Sequence, residues 1–156
     1  MINELTPEQL FYWAGQASFY GWVILIFLPR IKVLFCLPQY LIPFGISLLY
    51  AGLILVHYFG SAGGFGTLQK VRVLFENDYL LLAGWIHYLA FDLFIGAWIA
   101  KKADLLSLSR FIQAPILLAT YIFGPLGLAL FLIINAMHSH QSNLIKEGRN
   151  NVIHST

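Results

Sequence analysis

Charge is what this chain has least of. Only 10% of its 156 residues are Asp, Glu, Lys or Arg, while 59% are hydrophobic. A soluble domain carries about 25% charged residues. So few charges do not cover an aqueous surface, and composition points to a membrane protein. Cysteine is almost missing too. The single Cys36 excludes an internal disulfide framework and any cysteine-rich metal centre. Basic excess is also lacking: the formal net charge is +2, nothing like the footprint of a nucleic-acid binder, so no nucleic-acid partner is expected. The opening MINELTPEQL has Glu4 and Glu8 but no basic residue. It makes a poor n-region for a cleaved signal peptide, and the first apolar segment is expected to be retained.

Long apolar runs are present in their place, with aromatic residues at 16%. A spanning helix needs about 20 mostly apolar residues, and four segments qualify, at about 11–28, 37–58, 79–100 and 111–136. Thr6-Pro7 suits the cap and first turn of the first. Asn77 or Asp78 caps the third, and Lys101 and Lys102 suit its C-terminal dipole. Gly124-Pro125 should kink the fourth. Between the second and third spans a glycine-rich GSAGGFG leads into Leu68, Val71, Leu74 and Phe75 at helical spacing beside Lys70 and Arg72, which reads as a short amphipathic interfacial helix. The expected fold is therefore all-α: one integral membrane four-helix bundle over 1–156, with a polar tail at 138–156. Arg30, Lys32, Lys101, Lys102 and Arg110 fall on one side of it. The positive-inside rule makes that side cytoplasmic and puts both termini outside.

Two titratable residues lie deep in the third span, in GWIHYLAFDLF, and each needs pairing, neutralisation or water there. At 100° per residue, Asp78, Trp85 and Asp92 form one stripe, widened by Tyr88 and Gly96. His87 lies about 140° from Asp92, on a second face with Gly84 and Phe91. The two therefore cannot pair on a straight helix. A structural reading gives Asp92 a partner among Arg30, Lys32, Arg110 and Gln113, and gives His87 a carbonyl across a helix interface. Such contacts are worth roughly 0.6–2 kcal/mol. Asp78 reads most simply as a helix-dipole partner. No H-x-x-x-H or E-x-x-H pair occurs on this span, so no metal site is expected. A G-x-S-x-G elbow, a P-loop and a dinucleotide fingerprint are likewise missing.

Asn77-Asp78, WIHYL at Trp85 to Leu89, DLF at Asp92 to Phe94, Arg110 and GPLG at Gly124 to Gly127 together resemble the ABA4-like family. This is the small membrane-protein family that includes the plant plastid protein required for neoxanthin synthesis. The resemblance covers the third and fourth spans in residues and the first half through hydropathy. It implies a redox-neutral isomerase acting on a carotenoid or other isoprenoid, as in conversion of an epoxide to an allenic alcohol. That chemistry requires an acid at the epoxide oxygen and a base for a vinylic proton, and in principle no cofactor. The implied roles are Asp92 as buried acid, His87 as base or proton shuttle, and Asp78 and Arg110 as polar supports. Asn77, Trp85, Tyr88 and Phe91 would flank an elongated ligand, with Gly84 and Gly96 leaving it space.

The short chain shows no transit-like extension and looks like a bacterial or bare-domain member, and the bacterial inner membrane is its expected location. Its expected partners are membrane lipid and an apolar isoprenoid-type ligand, with a homo-oligomer left open. The alternative is a non-enzymatic carotenoid- or lipid-binding accessory protein that partners a larger enzyme. A channel or transporter subunit fits less well, because four short spans offer few polar residues for a path.

Overall fold

The computed structural model describes residues 5–138, in which all regular structure is helical. Helix α1 covers Pro7–Phe27. Its start is a reciprocal cap: the Thr6 hydroxyl accepts from the Gln9 N–H at 3.3 Å, and the Gln9 side chain accepts from the Thr6 N–H at 3.1 Å. Helix α2 covers Lys32–His57 and contains a π turn over Leu37–Leu41. Pro38 and Pro43 explain the turn. Proline brings no N–H and its ring crowds the carbonyl one turn back, and a widened turn absorbs the mismatch. Hence α2 begins ahead of the prolines, at Lys32 rather than at residue 37. Helix α3, Leu68–Leu74, is capped by Thr67, whose hydroxyl accepts from the Lys70 N–H at 3.2 Å.

Helix α4 covers Asp78–Leu105, about 42 Å of rise at 1.5 Å per residue. It passes the expected end at Ala100, because Lys101 and Lys102 are sound helix formers and extend the helix with their charges exposed. Asp92 thereby stands close to mid-helix, about 20 Å from either end. Helices α1, α2 and α4 are long and apolar enough to cross a membrane.

The fourth expected span is two shorter apolar helices, α5 at Arg110–Phe123 and α6 at Pro125–His138. They are divided at Gly124, whose φ of 49° is a conformation glycine adopts without steric cost. The polar tail beyond His138 lies outside the described residues.

The chain divides into two compact units, Met1–Trp98 and Ile99–Thr156, the division falling within α4. In the first, a core of Ala14, Ile46, Leu53, Leu82, Ala83, Ile86, Leu89 and Ala90 joins α1, α2 and α4. Close approach of α1 to α4 is secured by glycines. A Cβ on Gly96 would collide with the Trp22 ring, and one on Gly21 would stand 2.6 Å from Leu93 Cδ2. The segment before α3 is held by another glycine, since a Cβ at Gly63 would strike the Leu74 backbone.

In the second unit a buried polar residue ties the helical hairpin together. The Gln113 amide donates to the Asp104 carboxylate at 2.9 Å and to the Leu108 carbonyl at 2.7 Å. Buried Thr120 donates to the Ile116 carbonyl at 2.8 Å, and Gly127 packs directly against Thr120.

Candidate functional site

The site is built on α4, and its position is set by the cap. Asn77 Oδ1 accepts from the N–H groups of Tyr79 and Leu80 at 3.0 and 3.2 Å, satisfying donors the first turn leaves open. Asp78, exposed at the first helical position, adds the carboxylate that a helix N-terminus favours.

Viewed down α4, the buried Leu82, Ala83, Ile86, Leu89, Ala90 and Leu93 take one side. The other carries, in angular order, His87, Phe91, Gly84, Tyr88, Asp92 and Trp85, spread over about 160°. His87, Phe91 and Trp85 are exposed, while Gly84, Tyr88 and Asp92 are half-buried. The two titratable residues thus mark the two edges of a single aromatic face.

At the α2 edge the His87 ring lies 4.6 Å from Phe91 and 5.5 Å from Tyr50, centroid to centroid. It lines a cavity of about 240 Å³ with Tyr50, Ile54, Gly84 and the connecting-segment residues Phe65, Leu74 and Phe75. A second cavity of about 430 Å³ lies between the same two helices, lined by Gln39, Pro43, Phe44, Ser47, Phe91 and Phe94 among others. Phe91 therefore joins the two, at the wall of one and against the histidine of the other. Their linings are overwhelmingly apolar, with the π turn's Gln39 supplying an amide.

At the α1 edge Trp85 stacks on Phe11 at 5.7 Å and packs on Tyr88 at 5.4 Å. Tyr88 hydrogen-bonds the Asp92 side chain. The Asp92 Oδ2 atom is buried and has no hydrogen-bond partner. A third cavity, about 400 Å³, includes Glu8, Phe11, Asp78 and Trp85.

Among the expected site residues, the structure brings Trp85, Tyr88 and Asp92 into one cluster and Gly84, His87 and Phe91 into another. Asn77 and Asp78 stand at the helix start. At Gly96, the space a side chain would take is occupied by the Trp22 ring. Arg110 is exposed and opens α5 in the second unit. Gln113, considered as a partner for Asp92, bonds Asp104 and Leu108 instead.

Sequence reasoning missed Tyr50 and gave no site role to Ser18 or His57. The last stacks on Tyr79 with ring centroids 4.3 Å apart and planes 3° from parallel. Only Ser18 left a trace in the sequence, as a polar interruption of the first span on the face shared by Ala14, Gly21 and Leu25. Among the described residues, no cluster of three or more His, Cys, Asp and Glu could hold a metal ion.

A face of this kind can hold an extended apolar molecule and move a proton at either edge. The family model described as ABA4-like, ABA DEFICIENT 4-like, matches residues 9–131. No curated protein and no solved structure matches the chain.

Proposed function

The chain belongs to the ABA4-like family, and from that premise we propose that it is a redox-neutral isomerase of the bacterial inner membrane acting on a carotenoid or related isoprenoid. In this reading α5 and α6 together complete a four-helix membrane bundle, broken at Gly124, and α3 lies at the membrane interface. One observation supports the reading above the rest. His87 and Asp92 flank one aromatic face of an apolar helix long enough to cross a membrane, about 7.5 Å apart along the helix axis. A ligand lying across Tyr88 and Phe91 reaches both.

The roles follow from the reaction. Protonated Asp92 gives its proton to the epoxide oxygen as the carbon–oxygen bond opens. His87 takes the vinylic proton, and the electron pair released forms the second double bond of the allene. One proton is given and one received, so no reductant is consumed. Tyr88 orients the Asp92 carboxyl, while the paired cavities along α2 hold the polyene.

The test is turnover by the purified chain in lipid vesicles supplied with violaxanthin, followed by chromatography of the allenic product. Asp92→Asn and His87→Ala proteins with unchanged helical circular dichroism should each lose about 10²–10⁴-fold in rate, the usual contribution of a general acid or base. Full product formation by either variant would defeat the assignment. The exposure of Trp85, His87 and Phe91 also favours a second reading, a pigment-binding accessory protein. In that case purified protein retains a polyene yet never converts it.

A further inference from the structure

Two contacts fix the register of α1 against α4. Phe11 stacks on Trp85, and Trp22 fills the space over Gly96. Residue 18 is seven positions after 11 and four before 22, and residue 92 is seven after 85 and four before 96. The two helices rise equally per residue, so Ser18 stands level with Asp92 across their interface. Ser18 is 1% exposed. Its Oγ has no hydrogen-bond partner, and neither does the buried Asp92 Oδ2. The remaining carboxyl oxygen has Tyr88.

Two orphaned polar atoms at one level of an apolar interface are costly, because a buried group without a partner forfeits its hydration. They do not satisfy each other. A group bridging them faces a Ser18 hydroxyl that either donates or accepts, and an Asp92 Oδ2 that accepts when ionised and donates when protonated. A ketone oxygen answers both only while Asp92 is protonated, and an ammonium only while it is ionised. A hydroxyl, with one proton to give and two lone pairs, answers both in either state. We infer that Ser18 and Asp92 form a buried clamp for one hydroxyl group, supplied either by an ordered water or by the alcohol end of an isoprenoid. The alcohol arm deepens the ligand reading of the α4 face and rests on it; the clamp itself does not require turnover.

The full-length chain in lipid nanodiscs distinguishes the sources. The probes are β-carotene and its diol zeaxanthin, titrated by absorbance, together with infrared spectra in which the Asp92 carboxyl band is assigned by its loss in Asp92→Asn. Ser18→Ala removes one oxygen and keeps the packing. If the hydroxyl comes from the ligand, the wild-type chain prefers the diol by up to about tenfold, the worth of one net hydrogen bond, and Ser18→Ala abolishes the preference. If it comes from water, neither protein discriminates, yet the Asp92 band moves in Ser18→Ala and on dehydration. An absence of preference together with an unmoved band overturns the clamp. Both readouts are independent of catalysis, so a chain that binds without converting substrate fails the isomerase reading and leaves this one standing.

Discussion

Replacing single glycines by alanine should change stability with opposite signs at two positions of the same bundle. In a helix, alanine is favoured over glycine by roughly 0.5–1 kcal/mol through backbone entropy. At Gly45, in α2, a Cβ meets nothing within 4 Å, so Gly45→Ala should realise that gain in full. At Gly96 the new Cβ meets the Trp22 indole, including Cζ3 at 2.7 Å. Trp22 is 3% exposed and its ring is rigid, so relief requires α1 and α4 to separate. Overpacking of this kind costs typically 1–3 kcal/mol. After the entropic gain, the net loss at Gly96 should be up to about 2.5 kcal/mol. Gly21→Ala belongs between them, because the atom in its way is the tip of the Leu93 side chain, which can rotate. Equilibrium unfolding in mixed detergent micelles by increasing dodecyl sulfate reads all three. A Gly96→Ala protein at least as stable as Gly45→Ala would refute the α1–α4 packing on which the register of the site depends.

Other expectations are as direct. Asn77→Ala removes the acceptor for two first-turn N–H groups and should lower stability by about 1 kcal/mol, seen in the same titration and as faster amide exchange at Tyr79 and Leu80. Gln113→Ala deletes the donor to Asp104 and Leu108 and should cost about 1–3 kcal/mol; an unchanged midpoint would show the hairpin to be held otherwise. Gly124→Ala places a side chain at φ 49° and should cost about 1–3 kcal/mol, whereas the same change at Gly52, where nothing lies within 4 Å of a Cβ, should not destabilise.

Much of this architecture was legible in local residues. Thr6-Pro7, Thr67 and Asn77 stand where helices begin, and each cap works within three residues of itself. Gly124-Pro125 announces the break in the last apolar segment. The second span was expected from residue 37, with Pro38 and Pro43 near its start. The π turn that lets the helix run through them depends on backbone relaxation that no local pattern encodes. The Lys101-Lys102 pair suggested a helix end, yet lysine propagates a helix once its head is clear of the apolar layer.

The angular relation of His87 to Asp92 followed from helical periodicity alone. What surrounds them did not. Tyr50 against His87 and Trp22 in the notch of Gly96 are contacts between residues far apart in the chain, and the level shared by Ser18 and Asp92 follows from such contacts, which periodicity along one helix does not reveal. The exposed outward side of α4 had the same cause: knowing which residues share a face does not say which face is buried.

The most direct test of the α4 face as an isoprenoid site is mass spectrometry of lipids that copurify with the chain from its native host. Wild-type protein should carry an isoprenoid at close to one per site, and Gly84→Trp, which fills the face beside His87 while keeping the helical circular dichroism, should carry none. Wild-type protein without such a lipid, or Gly84→Trp retaining it in full, would contradict the account.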